Sequence, residues 1–97
     1  MPERAGIAAE LEALAATVGA LDGLVAEAGA LRAASARIGG RGKALAAVEA
    51  HGLRSPMTAI RSAAEILAEG VGAGDRRRFR EIVRAEAARL LRLVEAG

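Results

Sequence analysis

Apolar residues recur through the first forty positions at spacings of three and four, the period of an amphipathic helix. One series alternates steps of four and three, and its members are Ile7, Leu11, Leu14, Val18, Leu21, Val25 and Ala28. A second series steps by seven and consists of Leu24, Leu31 and Ile38. The offset of three between Leu21 and Leu24 resembles a stammer in a coiled coil. The pattern predicts one N-terminal helix over residues 5–38, either a plain packing helix or a signalling coiled coil.

Two further amphipathic helices are predicted over residues 43–69 and 75–96. On a helical wheel, the second helix has an apolar arc formed by Leu45, Val48, Gly52, Leu53, Pro56, Ala59, Ile60, Ala63, Ile66 and Leu67, with Met57 and Ala64 at its edge. The opposite, polar arc holds His51, Arg54, Ser55, Thr58, Arg61, Ser62 and Glu65. In the third helix one face is formed by Phe79, Ile82, Val83, Ala87, Leu90, Leu93 and Val94.

Glycine clusters separate the three predicted helices. They read GGRG at 39–42 and GVGAG at 70–74, and each glycine costs a helix interior about 1 kcal/mol relative to alanine. Asp75 follows the second cluster and is a candidate N-cap. Because the second loop is short, residues 43–97 should form an antiparallel hairpin. Residues 1–42 form a separate N-terminal segment that either packs on this hairpin or extends from it.

The composition favours an all-α protein that pairs with a second copy. Of the 97 residues 53% are hydrophobic, but only 1% are aromatic and most of the apolar residues are alanine. A core built from such residues is thin for a chain of this length. Two hairpins from two chains would form a dimeric antiparallel four-helix bundle. Its predicted core contains Leu45, Val48, Leu53, Met57, Ile60, Leu67, Phe79, Ile82, Val83, Leu90 and Leu93.

Charge and cysteine content exclude several classes of function. The net charge of +2 is too small to predict nucleic-acid binding. With no cysteine and one histidine, the chain has neither a disulfide framework nor the ligands for a metal site of its own. No apolar stretch approaches the roughly 20 residues of a membrane span. Acidic residues at the N-terminus do not fit a signal peptide, so a cytoplasmic location is expected.

The single histidine and a nearby proline are the unusual features of the second helix. His51 lies on the polar arc and is the one side chain expected to titrate near neutral pH. Most lone histidines in helices have no function beyond packing or solvation. Pro56 removes a backbone hydrogen bond to the carbonyl of Gly52, which predicts a kink beside His51. A helix that ends at Ser55 is the alternative, but the apolar arc continues in phase to Leu67.

The stretch HGLRSPMTAIRSAAEIL at 51–67 resembles the H-box of bacterial sensor histidine kinases. That box typically contains His, an acid, Leu, Arg, Thr or Ser, Pro, Leu or Met, and Thr. Residues 77–97 are similar to the second helix of the same dimerisation and histidine-phosphotransfer domain, known as DHp or HisKA. The resemblance therefore covers residues 43–97. Residues 1–42 occupy the place of the linker coiled coil in these two-component kinases.

The resemblance implies a phosphoacceptor module in a homodimer. His51 would accept a phosphoryl group that originates from ATP and pass it to an aspartate of a response-regulator receiver domain. Ser55 and Thr58 would donate hydrogen bonds from the same face, and Arg54 would offer positive charge. The ATP would be bound by a kinase domain that is missing from this chain, in cis or in trans. Whether the chain is itself an enzyme therefore stays open, as do the stimulus and the cognate regulator.

Two positions depart from the family pattern. Gly52 stands where the family has an acid that orients the imidazole or takes its proton, and general-base help is typically worth 10²–10⁴-fold in rate. Ser55 retains a hydroxyl four residues after His51, where related proteins have Thr or Asn. Autophosphorylation should therefore be slow or lost. A degenerate dimerisation scaffold without chemistry is the alternative function, and a generic coiled-coil protein is a third.

Two other motifs are better explained as structure than as chemistry. GGRGK at 39–43 lacks the first glycine and the hydroxyl residue of a phosphate-binding loop. RRRFR at 76–80 contains one aromatic residue and is followed by acids, which indicates a solvated helix end rather than a nucleic-acid site. These arginines would at most steer an acidic regulator surface.

Overall fold

A computed structural model describes residues 2–40 and 47–96, with side chains for 6–39 and 51–95. These residues form four helices, which are α1 (Pro2–Gly19), α2 (Val25–Gly40), α3 (Ala47–Glu69) and α4 (Ala73–Ala96). No strand occurs within the described ranges. The prediction of an all-α protein is confirmed.

The single helix predicted over residues 5–38 is wrong, because the chain turns between α1 and α2. Gly23 lies in this turn with a φ of 75°, a left-handed conformation that favours glycine. The offset of three between Leu21 and Leu24, interpreted as a stammer, marks this turn instead. The two helices pack closely, since a β-carbon on Gly19 would lie 3.4 Å from that of Ala28. Residues 2–40 are therefore a hairpin of their own.

The second hairpin agrees with the prediction from sequence. The loop between α3 and α4 consists of residues 70–72, and Gly70 has a φ of 93°. The predicted N-cap at Asp75 is wrong, because α4 already begins at Ala73. The amide of Arg76 donates to the carbonyl of Gly72 at 2.9 Å, which closes the first turn. Asp75 lies within that turn, where its negative charge interacts favourably with the helix dipole.

The two hairpins pack side by side into a four-helix bundle within one chain. Its dimensions are 43 × 19 × 19 Å, and α1 contacts α3 while α2 contacts α4. Asp22 in the first loop pairs with Arg80 near the start of α4, so both loops lie at one end of the bundle. Arg37 and Glu95 pair at the other end. Residues 2–40 thus pack back on the hairpin, the first of the two arrangements left open by the sequence.

The core extends along all four helices and uses most of the apolar positions predicted for a dimer. Its larger side chains are Ile7, Leu11, Leu14, Val18, Leu24, Leu31, Ile38, Leu53, Met57, Ile60, Leu67, Val83, Leu90 and Val94. Phe79 and Ile82 are partly buried against it. Leu93 is 38% exposed, so its predicted burial does not occur within the single chain. Leu45 and the side chain of Val48 lie outside the described residues.

The buried face of α3 is rotated slightly from the predicted arc. Met57 and Ala64, expected at the edge, are buried, whereas Gly52, expected within the arc, is exposed. The rotation follows from packing against both α1 and α4, which the wheel alone does not include. Pro56 lies inside the helix and is buried. Because α3 continues to Glu69, the alternative of a helix end at Ser55 is excluded.

Candidate functional site

The exposed face of α3 brings together three of the four side chains that the sequence identified. His51, Ser55 and Thr58 are all exposed. At 100° per residue, Ser55 lies about 40° and Thr58 about 20° from His51 around the helix axis. The two hydroxyls therefore form a polar strip that begins at the imidazole and extends two turns along the helix. A ligand that reaches His51 from solvent would meet hydrogen-bond donors on one side of the ring.

The backbone of this segment is locally weakened while remaining helical. Pro56 has no N–H to donate to the carbonyl of Gly52. Gly52 directly follows His51 and is an exposed residue. A β-carbon added at Gly52 would find no neighbouring heavy atom within 4 Å outside its own helix backbone. The absence of a side chain here is therefore not a packing requirement. The space beside the imidazole is open to a larger residue.

The fourth identified residue, Arg54, contacts the other hairpin. Its guanidinium Nη1 lies 3.7 Å from Oε1 of Glu10 on α1. Arg61, two turns further along α3, approaches Oε2 of the same carboxylate at 3.5 Å. Arg54 lies about 60° around the helix from His51 and at the i+3 position, so the two side chains are surface neighbours. One carboxylate of α1 thus meets two arginines of the histidine helix.

Glu10 is a residue that sequence reasoning missed. It belongs to a segment that shares no family motif, and its partners Arg54 and Arg61 lie in a different hairpin, far along the chain. Its own helix gives no signal, because a glutamate in an alanine-rich stretch such as AAELEA at 8–13 is ordinary for a solvated helix face. Only the packing of α1 beside α3 reveals the contact.

A second polar surface lies near the opposite end of the bundle. Ala73, Arg76, Arg77, Arg80, Glu81 and Arg84 line an open groove of about 420 Å³. Arg80 pairs with Asp22 at 2.8 Å and also donates to its backbone carbonyl, while Arg84 pairs with Glu27 at 3.1 Å. Several of these arginines therefore join the two hairpins. This role differs from the solvated helix end expected from the sequence.

The histidine site and the arginine groove are well separated along the bundle axis. His51 lies near the start of α3, and Glu69 ends that helix. At a rise of 1.5 Å for each residue, the two positions are about 27 Å apart along the helix axis. The arginine groove lies beside the first turns of α4, directly after the loop. A single small ligand does not reach both surfaces.

An exposed histidine on the first helix of a helical hairpin, followed by Arg, Ser and Pro, defines a phosphoacceptor class of domain. A family model described as the His Kinase A (phospho-acceptor) domain, HisKA, matches residues 43–96. The match includes more than half of the chain, and this protein belongs to the HisKA family. It spans α3 and α4, the dimerisation and histidine-phosphotransfer hairpin, whereas α1 and α2 precede it.

Two other comparisons gave no relative. No curated protein and no solved structure matches the chain. None of the helices in residues 2–40 and 47–96 combines the length and hydropathy that a bilayer span requires. The family therefore rests on the HisKA match and on the residues of α3 described above.

Proposed function

We propose that this protein is a phosphoacceptor module of two-component signalling, in which His51 receives a phosphoryl group and passes it to a receiver-domain aspartate. The observation that supports this most is the exposure of His51 on a hairpin that belongs to the HisKA family. Ser55 and Thr58 are exposed on the same face, as a site open to two different proteins requires. ATP is bound by a kinase domain, in cis or in trans, and the process takes place in the cytoplasm.

The chemistry requires little of the protein beyond presentation and charge. A neutral imidazole nitrogen attacks the γ-phosphorus of ATP, the N–P bond forms as the P–O bond to ADP breaks, and the ring loses its remaining N–H proton. In the second step, a receiver carboxylate attacks the same phosphorus as the N–P bond breaks, and the imidazole takes up a proton from solvent as it leaves. Phosphoryl transfer depends mainly on in-line positioning and charge stabilisation. Arg54 and the two hydroxyls offer donors to the phosphoryl oxygens.

Gly52 limits the first step of this proposal. No side chain at that position takes the imidazole proton or fixes the ring, so the proton leaves without the acceptor that the family pattern has there. Transfer from an already activated donor, such as the acyl phosphate of a receiver domain, depends less on a general base beside His51. We therefore expect exchange with a receiver to be faster than phosphorylation by a kinase domain.

Radiolabelled phosphoryl transfer tests the proposal directly. The full chain is incubated with a phosphorylated receiver domain or with a kinase domain and ATP. The expected result is an acid-labile label on the chain that disappears in His51→Gln. Ser62→Ala is a matched control, because Ser62 is an exposed side chain of the same helix beyond the site. A chain that takes no label from any donor would contradict the phosphoacceptor role.

A degenerate scaffold without chemistry is the second candidate function. The absence of an acid at Gly52 favours it, since nothing in the packing around that position prevents a side chain. This alternative predicts that His51→Ala leaves both assembly and any cellular activity unchanged. The phosphoacceptor proposal predicts unchanged assembly and lost signalling. A complementation assay beside a measurement of molar mass distinguishes the two.

The proposal includes a homodimer, as the resemblance to the HisKA domain implies. Within one chain, α1 and α2 already cover the apolar faces of α3 and α4. A dimer therefore requires that the α1–α2 hairpin move away, or that it exchange between two copies. An exchanged arrangement keeps every core contact while it joins two chains, so it costs the least buried apolar area.

Cross-linking distinguishes these arrangements because the native chain has no cysteine. Arg37→Cys and Glu95→Cys are combined, since the native side chains meet at 2.9 Å, and the pair is bridged with a short bis-maleimide. An inter-chain product supports an exchanged dimer, and dimer mass without a product supports displacement of α1–α2. An intra-chain product together with monomer mass would overturn the homodimer.

A further inference from the structure

Among the described side chains, the carboxylate of Glu10 is an acidic group that packing of α1 brings to the histidine helix. It lies between Arg54 and Arg61, at 3.7 Å and 3.5 Å from their guanidinium nitrogens. Its side chain is 36% exposed and those of the arginines about half exposed, so the contact is in a partly solvated groove between α1 and α3. Glu10 lies outside the part of the chain that matches the HisKA family, because that match begins at residue 43.

We propose that Glu10 is a positioning residue that restrains the phosphoacceptor site by neutralising Arg54. The inference rests on the proposed function of His51. While α1 is packed on α3, the Glu10 carboxylate lies 3.7 Å from Nη1 of Arg54 and offsets part of the guanidinium charge one helical turn from the imidazole. A phosphoryl group arriving at His51 then finds less positive charge than the sequence of α3 alone would provide.

The electrostatic step follows from the chemistry of the groups. The three equatorial oxygens of a transferring phosphoryl group are negatively charged, and guanidinium donors near them stabilise the transition state. Arginine binds carboxylate and phosphoryl oxygens with the same N–H donors, so the two acceptors compete. Because the pair is partly exposed, water and salt weaken the competition. The expected effect is a modest brake of about two- to fivefold, the range of exposed ion pairs.

The chain offers a matched contrast to Glu10 at the other end of the bundle. Asp22 also belongs to the α1–α2 hairpin and also meets two arginines of the second hairpin, Arg76 at 4.0 Å and Arg80 at 2.8 Å. Removing either carboxylate charge breaks a comparable inter-hairpin contact. Of the two contacts, the one at Glu10 involves a neighbour of His51 and the one at Asp22 does not.

Phosphoramidate is a suitable donor because it needs no kinase domain. Its P–N bond breaks as the new bond to the His51 nitrogen forms, and ammonia leaves with the proton of the ring. The full chain and Glu10→Gln are compared for the rate of His51 phosphorylation at low salt. We expect Glu10→Gln to react about two- to fivefold faster, with the difference decreasing as salt is added. Glu10→Asp keeps the charge and should react at nearly the native rate.

Two controls separate positioning from a general loosening of the bundle. Asp22→Asn should leave the rate unchanged, and Glu10→Gln should have no effect in an Arg54→Gln background. Equal rates for the native chain and Glu10→Gln would overturn the inference. So would equal acceleration by Asp22→Asn, or acceleration that persists without Arg54. A chain with no label on His51 in any variant would instead remove the phosphoacceptor role itself, and the restraint with it.

Discussion

The two hairpins share one core but differ in what they present to solvent. In α1 and α2 the most frequent exposed residue is alanine, at Ala9, Ala13, Ala16, Ala26, Ala33 and Ala36. In α3 and α4 the most frequent exposed residue is arginine, at Arg54, Arg61, Arg77, Arg78, Arg84, Arg89 and Arg92. Residues 1–40 hold five acids and three bases, whereas residues 41–97 hold seven acids and eleven bases.

This difference separates the residues that build the bundle from those that give it chemistry. Both hairpins place a large apolar side chain at nearly every core level, and these contacts hold the helices together. The second hairpin adds a face with an exposed imidazole and hydroxyls. The first hairpin adds acids at Glu10, Asp22 and Glu27, each paired with arginines of the second. It is therefore both a half of the core and an acidic complement.

The largest expected effect comes from restoring an acid beside the histidine. Gly52→Glu should raise the rate of His51 phosphorylation by a kinase domain about 10²-fold or more, because it supplies a proton acceptor. The helix has room for the side chain, since no neighbouring atom lies within 4 Å of a β-carbon there. The rate of label incorporation from ATP is the measurement.

Gly52→Ala is the control for this change. Like Gly52→Glu, it raises the helix propensity at this position, by about 1 kcal/mol relative to glycine, but it adds no carboxylate. If Gly52→Ala accelerates phosphorylation as much as Gly52→Glu, helix stiffening rather than proton transfer limits the reaction. If neither variant is faster, the acid at this position is irrelevant to this chain.

Core truncation tests whether the two hairpins unfold as one unit. Leu11 in α1 and Leu53 in α3 are both fully buried, with exposures of 0% and 1%. Leu11→Ala and Leu53→Ala should each lower the free energy of unfolding by about 2–5 kcal/mol. In urea, both should shift the same single transition. A variant that shifts only part of the signal would show that α1–α2 and α3–α4 unfold separately.

The sequence predicted the second hairpin well, and it placed His51, Ser55 and Thr58 on one exposed face of α3, because both depend on local spacing. The apolar period of α3 and α4, the glycines between them and the motif from His51 to Thr58 all lie within short stretches of chain. Pro56 was expected inside a helix because the apolar arc continues beyond it. The structure bears this out, with α3 unbroken from Ala47 to Glu69.

The first hairpin was misjudged because a turn and a register shift leave similar traces in sequence. An offset of three between Leu21 and Leu24 fits a stammer as well as it fits a chain reversal. The left-handed Gly23 decides between them, but glycine also occurs within these helices, as at Gly29. Contacts between the hairpins, such as Glu10 with Arg54, depend on packing between distant parts of the chain and leave no local pattern.

Two glycines, one in a helix and one in a loop, should respond in opposite directions to replacement by alanine. Gly29 is an exposed residue within α2 with an ordinary φ, so Gly29→Ala should stabilise the fold by about 1 kcal/mol. Gly70 in the second loop has a φ of 93°, and Gly70→Ala should destabilise it by about 1–2 kcal/mol. Thermal unfolding of both variants is the measurement. Stabilisation by Gly70→Ala would mean that this loop adopts a different turn.

The smallest expected effects come from ion pairs between the hairpins, and they distinguish a more buried from an exposed contact. Arg84 meets Glu27 at 3.1 Å, and the Glu27 side chain is 17% exposed. Arg37 meets Glu95 at 2.9 Å, and both side chains are about half exposed. Double-mutant cycles with glutamine should give coupling energies below about 1 kcal/mol for each pair, larger for Glu27 and less sensitive to salt. The Arg37 pair should be weaker although its atoms lie closer, because solvent screening and side-chain entropy outweigh so small a difference in distance. A larger coupling for Arg37 than for Glu27 would mean that geometry, rather than burial, sets the strength of the contact between the hairpins.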